Sequence, residues 1–246
     1  MKNYINIIIT LILVISSTNA QVLTGKIEYK KTRLNKQFTK NKSNSLSTKK
    51  LEKFAKIENK IKANERKVSF NLLFIKNKSL FKSKKILNTE NNKFIKAAIG
   101  PEGNGVFYNS NKEILRQLDA FGQEFLISKQ KYKWVVTKEK KKIGNYVCYK
   151  ATTIERVKTR NGVRNYLVTA WFTPHINAPF GPLGYAGLPG LILELEARNY
   201  KYYATKINLN PKKEIKITKP TKGKKVTQEE FYDIAIGTMK DLRKGF

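Results

Sequence analysis

The sequence predicts a mainly β protein of the α+β type. The expected architecture is an antiparallel meander sheet, curved as an open half-barrel, with a C-terminal helix and a helical insertion near the N-terminus. Three observations predict it. From Val68 onward the chain is a succession of short runs rich in β-branched and aromatic residues, separated by turn residues. One pair of runs reads as a long hairpin. After Thr227 the apolar period changes from two to between three and four.

The first strand is expected within Gln21 to Lys30, on the alternation of Val22, Ile27 and Tyr29. Further strands are expected at Val68 to Ile75, Ser79 to Leu87, Val106 to Asn109, Phe125 to Ser128 and Tyr132 to Thr137. The hairpin arms are Tyr146 to Val157 and Val163 to Thr173, with Tyr166, Val168, Ala170 and Phe172 on one face. Asn161-Gly162 lies between the arms, and Asn-Gly tolerates positive φ at both positions of a tight turn. Strands from Leu191 and from Tyr200 to Leu209 follow, with a turn at Arg198-Asn199, and a last strand is expected from Glu214 to Thr218. Sequential strands with short turns and a terminal helix make a meander with a helix against it.

Two helices are expected. Leu51, Phe54, Ile57 and Ile61 form one apolar stripe, with Ser47 or Thr48 available as the cap. The stripe reads first as a docking face for the protein's own sheet and second as a basic amphipathic surface for a membrane. Thr227-Gln228-Glu229-Glu230 has the form of a capping box. Phe231, Ile234, Thr238 and Leu242 then share a face, with Ala235 and Met239 beside them.

The first twenty residues read as a cleaved signal peptide. Lys2 is followed by an Ile- and Leu-rich run from Tyr4 to Ile15, and small or polar residues lead to Ala20. The run is short of the roughly 20 residues needed to span a bilayer, so an uncleaved anchor is the weaker reading. No cysteine follows it, so a lipid anchor is not expected, and no later segment is apolar enough to cross a membrane. The mature chain, 21–246, is expected to be one periplasmic or secreted domain, with the polar stretch and helix at about 31–67 as an insertion.

The chain carries 50 Lys and Arg against 18 Asp and Glu, a net charge of +32. That charge would attract a polyanion such as lipopolysaccharide. The excess is nearly all Lys, however, whereas phosphate recognition recruits the bidentate fork of Arg. Compositional drift with solvated lysines is therefore the leading reading, and nucleic acid is not an expected partner. Cys148 and His175 are each the sole residue of their type, so no intramolecular disulfide and no ordinary zinc site can form. No cofactor is implied.

The segment from Ile176 to Gly190 has glycine at every third position from Gly181 to Gly190. A strand follows it rather than a helix, which excludes a phosphate-binding loop. Leu188-Pro189-Gly190-Leu191 suits a type II turn. The loop reads first as a rigid crossover and second as a binding surface formed by Gly181, Gly184, Tyr185, Gly187, Leu188, Pro189 and Gly190.

Gly187-Leu188-Pro189-Gly190-Leu191-Ile192 spells the signature of the GLPGLI family of Bacteroidota envelope proteins, and the sequence resembles that family. Lys142-Ile143-Gly144-Asn145-Tyr146-Val147-Cys148-Tyr149-Lys150-Ala151 after Trp134 is similar to its Trp…KI-G-Y-C-KA stretch. Trp171-Phe172-Thr173-Pro174 and Phe180-Gly181-Pro182 are similar to its lead-in, with His175 where an acidic residue is expected. The likeness is strongest from Tyr132 to Leu209. It implies an exported protein and no catalytic residues.

Three functions follow as expectations. The first is a non-enzymatic envelope protein that binds an apolar or peptide-like ligand, with an envelope protein, peptide or lipid as partner. The second is a hydrolase or transferase with Cys148 as nucleophile and His175 as base. The third is polyanion binding through the lysine surface. Glu194 and Glu196 share a strand face and read as its solvent side rather than as an acid–base pair.

Overall fold

The computed structural model describes residues 22–34, 48–85 and 93–244. The expected signal peptide, the polar run at 35–47 with Ser47, and residues 86–87 of the expected third strand lie outside them.

Twelve strands form one sheet: β1 (Thr24–Arg33), β2 (Phe70–Ile75), β3 (Lys78–Ser83), β4 (Val106–Ser110), β5 (Ile114–Ala120), β6 (Gln123–Lys129), β7 (Val135–Ile143), β8 (Tyr146–Thr159), β9 (Gly162–Thr173), β10 (Leu191–Ala197), β11 (Tyr200–Leu209) and β12 (Lys224–Thr227). Their order is β12-β6-β5-β4-β3-β2-β1-β11-β10-β9-β8-β7. Two meanders, β1 to β6 and β7 to β11, are joined by the antiparallel pairing of β1 with β11. All pairs are antiparallel except β12 with β6.

The connections set the curvature. β6 and β7 stand ten strand spacings apart in the sheet order, which would be roughly 48 Å if the sheet were flat. Only residues 130–134 link them, and a link of that length reaches about 22 Å. The sheet therefore rolls until its ends approach each other, without closing. Helix α3 (Gln228–Lys244) lies across the seam and touches both β8 and β6.

The α3 capping box forms as expected. Glu230 N donates to Thr227 Oγ1 at 3.2 Å, and Thr227 N donates to the Glu230 carboxylate at 2.7 Å. Phe231 on the expected face is buried, while Met239 is exposed.

The inner face of the sheet carries the main core. Ile27, Tyr29, Phe70, Leu72, Phe74, Phe81, Phe107, Ala151, Val168, Ala170, Leu195 and Tyr202 are buried there. The rings meet one another: Phe70 stacks on Phe81 at 5.4 Å, and both meet Tyr202 edge-on. A second, smaller cluster, with Leu118, Phe125, Ile127, Val226 and Phe231, lies beneath α3.

Several expectations are corrected. Helix α1 (Thr48–Glu65) forms, but its stripe is no docking face for the sheet: Leu51, Phe54 and Ile57 are exposed, and only Ile61 packs against the core. Helix α2 (Lys93–Gly103), kinked at Gly100, stands beside it. Residues 214–218 form no strand. The segment crosses the outer face of the sheet, where Ile217 packs on Tyr108, Leu115 and Leu126, and strand pairing resumes at β12. The hairpin turn is Arg160-Asn161, with Gly162 at φ +96° opening β9, so only glycine takes the positive φ. That is the pattern of a type I turn followed by a glycine bulge.

Candidate functional site

The loop between β9 and β10 folds into the barrel rather than over its surface. Ala178, Phe180, Leu183, Tyr185 and Leu188 are all buried in the main core. A 3₁₀ turn at Pro182–Gly184 carries the loop to the facing strands β3, β4 and β5.

Buried backbone must be hydrogen-bonded, and this loop is bonded largely to itself. Ala178 N donates to Ile176 O, Phe180 N to Ala178 O, Gly187 N to Pro179 O, and Leu191 N to Ile176 O, at 2.7–3.1 Å. Asn109 Nδ2, itself buried, donates to Gly184 O at 3.1 Å. The expected type II turn is absent. Gly190 N bonds to Leu188 O, closing a three-residue turn at Pro189. Gly190 is required for space as well as conformation: its φ is +154°, and a Cβ would meet Thr173 O at 2.1 Å.

Of the expected binding surface, Gly181, Gly184, Tyr185, Leu188 and Gly190 are buried, and only Gly187 and Pro189 are exposed. The concave face of the sheet is thus filled over much of its area by the chain's own loop.

The loop does not fill the end of the barrel beneath α3. There a cavity of about 280 Å³ separates the two apolar clusters. Its walls carry Phe107 and Leu118 from the sheet, Leu183 and Tyr185 from the loop, and Phe231 and Tyr232 from α3. Charged side chains also enter it: Arg116 on β5, Lys129 on β6, Glu155 on β8, Glu102 on α2, and Arg198 on the turn after β10.

The register explains why they point inward. Arg116 sits opposite the core residues Phe107 and Ile127, and Lys129 opposite Ile114. Glu155 continues the inward row of Ala151 and Thr153. In each case a polar residue occupies a position that the rest of the strand fills with a small or apolar one.

The charges are unevenly paired. Arg198 takes both carboxylates, with Glu155 at 3.1 and 3.2 Å through two nitrogens and Glu102 at 3.7 Å. Burial would raise the Glu155 carboxyl, but Arg198, with the Lys129 ammonium acting at longer range, holds it below its ordinary range. The Tyr185 hydroxyl interacts with Glu155, and burial pushes its pKa well up.

Arg116 donates to the backbone carbonyls of Asn104 and Pro101, lies 5.0 Å from the Phe107 ring, and among the described residues has no carboxylate in ion-pair contact. Lys129 makes no hydrogen bond or ion pair among the described residues. Its ammonium stands 5.4–5.7 Å from the rings of Phe107, Tyr132 and Tyr185. Burial lowers the Lys129 pKa to about 8 and that of Arg116 to about 10. Ring contacts of this kind contribute ~2 kcal/mol when desolvated, against a cost of several kcal/mol per buried ion. The Tyr132 hydroxyl, stacked at 4.2 Å on Tyr185, is buried without a hydrogen-bond partner.

The backbone is strained around the same space. Among the described residues five non-glycine residues have positive φ, and three of them (Phe121 at 55°, Leu183 at 58° and Arg198 at 54°) line the cavity. Such conformations cost about 1–3 kcal/mol each and cluster at ligand clamps and switches.

The candidate catalytic pair lies elsewhere. Cys148 is fully buried, donates weakly to Tyr146 O at 3.8 Å, and burial pushes its thiol up to about 11. A nucleophilic thiol needs the opposite shift. His175 is exposed, with Nδ1 at 3.4 Å from Thr173 Oγ1. The structure does not bring the two into hydrogen-bond contact. Glu194 forms an ion pair with Lys141, whose ammonium lies 4.3 Å from the Trp171 ring. Among the described residues no group of three His, Cys, Asp or Glu could hold a metal ion, and no helix is long and apolar enough to cross a membrane.

Comparison with known proteins adds one family. A family described as a protein of unknown function (Porph_ging) matches residues 162–194. That match spans β9, the whole inserted loop and the start of β10. No curated protein matches the chain. Two solved structures of PNGF-II, in C2 and P21 crystal forms, are similar at 15% and 16% identity, each with a TM-score of 0.47. They cover 87% and 86% of this chain, which spans about a third of their own length (32% and 33%).

Proposed function

We propose that this is an exported cell-envelope protein of the GLPGLI family that binds a ligand without transforming it, taking an apolar or peptide-like molecule into the cavity beneath α3. The observation that carries this reading is the cavity itself. Protein interiors are packed to the density of organic crystals. Here about 280 Å³ is left open between two apolar clusters, walled by Phe107, Leu118, Leu183 and Phe231. That volume lies at the lower edge of the roughly 300–1,000 Å³ of small-molecule sites. Mostly apolar walls with a few converging polar groups are the usual composition of such sites. The buried, alkaline-shifted Cys148 thiol supports binding over cysteine chemistry.

Binding of a solvatochromic hydrophobic dye tests the reading. Ala235 lines the cavity from α3, and Ala235→Trp fills it. The wild type should enhance dye emission saturably, and Ala235→Trp should abolish the effect while keeping its far-UV spectrum. Equal dye binding by both proteins would contradict the reading.

A further inference from the structure

We propose that the cavity beneath α3 recognises an apolar carboxylate, with its head between Lys129 and Arg116 and its apolar body against Phe231 and Phe121. The inference rests on the binding reading above and names the ligand's chemistry.

The argument is one of charge and volume. Arg198 holds Glu155 and Glu102, and the third carboxylate on the lining, Asp119, belongs to an exposed residue of β5. Among the described residues, Lys129 and Arg116 then face the cavity with rings and backbone carbonyls beside them and no carboxylate in ion-pair contact, Glu155 acting on Lys129 only at longer range. A cation removed from bulk water is expensive unless an anion meets it. An anionic head between Lys129 and Arg116 would give both cations a partner in contact. A carboxylate supplies two acceptor oxygens, one for each cation.

The remaining walls exclude a purely polar anion. Phe121 and Phe231 lie 6.4 Å apart, centroid to centroid, on the α3 side, with Leu118 and Met239 beside them. Such walls suit an alkyl chain or a leucine-like side chain. The Tyr132 hydroxyl, on the neighbouring stretch of chain beside Lys129, is a second group that lacks a hydrogen-bond partner.

Two sources supply this chemistry: a free fatty acid, or the C-terminus of a short apolar peptide. Isothermal titration would compare decanoate with decan-1-ol, and acetyl-Leu-Leu acid with its C-terminal amide. In at least one pair the acid should bind ten-fold or more tighter than its neutral partner, and that pair identifies the source. Lys129→Met should remove the preference, read as the ratio of acid to neutral affinity within each variant. Lys129 is half-buried and makes no hydrogen bond or ion pair among the described residues, so the variant should remain folded. Lys129→Arg should restore part of the preference.

If acids and neutral partners bind equally to the wild type, or if Lys129→Met keeps the preference, the carboxylate assignment is overturned and the binding reading stands. If no probe binds and the dye also fails, the binding reading itself falls.

Discussion

The interior of the sheet is completed in two different ways. Over the middle of the barrel the chain folds the 176–190 loop inward, and Phe180, Leu183 and Leu188 take the places that a ligand would occupy in an open carrier. Beneath α3 the same ladders present Arg116, Lys129 and Glu155, and the volume stays open. The first region is a packed core with its polar backbone bonded internally. The second combines unfilled space, a lysine with no hydrogen bond or ion pair among the described residues, and left-handed residues. The contrast separates what the fold needs from what it leaves over. The segment matched by the family of unknown function, 162–194, contains the plug. The charged groups Arg116, Lys129 and Arg198 lie outside it.

Substitutions should divide along that line. The largest loss is expected at Gly190→Ala, where a Cβ collides with the Thr173 carbonyl in a backbone conformation that favours glycine. Chemical denaturation should show a loss of about 3 kcal/mol or more, if the variant folds. Leu188→Ala in the plug should cost about 2–5 kcal/mol, as for fully buried leucines elsewhere. Met239→Ala on the cavity rim, 57% exposed, should stay within about 0.5 kcal/mol. Equal losses at Leu188 and Met239 would erase the distinction between the two regions.

Thr227→Ala removes the hydroxyl that accepts from Glu230 N at the start of α3. A loss of about 1 kcal/mol is expected, with faster amide exchange along α3 than in β8 to β10. Phe121→Asn places a residue that tolerates φ +55° at the tip of β5–β6. It should raise stability by a few tenths of a kcal/mol at most and weaken dye binding, because strain relieved there removes a cavity wall. Unchanged dye affinity would show that Phe121 is not part of the site.

Much of the sheet was legible because most strands keep their alternation. β11 has the expected bounds, and β8–β9 differ by two residues at one end and one at the other. Sequence reasoning missed β5, α2 and β12, and the first two line the cavity. β5 escaped because Arg116 occupies an inward position and breaks the apolar period of Ile114, Leu118 and Ala120. α2 escaped because Gly100, Pro101 and Gly103 punctuate it. β12 is four residues long, half of them lysine, and pairs in parallel with β6.

The site residues were hidden for the same reason. Lys129 is one of fifty basic residues, and only its position at an inward end of β6 distinguishes it. The signal that could have exposed Arg116 and Glu155 is a charged residue at an inward parity within a core strand. The glycine-rich loop drew attention as a binding surface, but glycines also let a loop pack inside a sheet, and here most of them are buried.

The pH dependence follows from the Lys129 shift, from 10.5 to about 8. A lysine with a lowered folded pKa is charged in both folded and unfolded states below pH 8, so its burial penalty is fully felt there. Between about pH 8 and 10.5 the unfolded chain binds the extra proton, and the penalty is relieved as pH rises. Relative to Lys129→Met, the wild type should therefore gain stability across that window. A bound carboxylate should reverse the shift by favouring the ammonium form.

The most direct test is an NMR titration of the Lys129 side chain, alone and with saturating decanoate or acetyl-Leu-Leu acid. The free protein should titrate near 8, and the preferred acid should move that value back towards 10.5. A Lys129 that titrates at 10.5 in the free protein, and that neither acid moves, would contradict the presence of an unpartnered cation in this cavity.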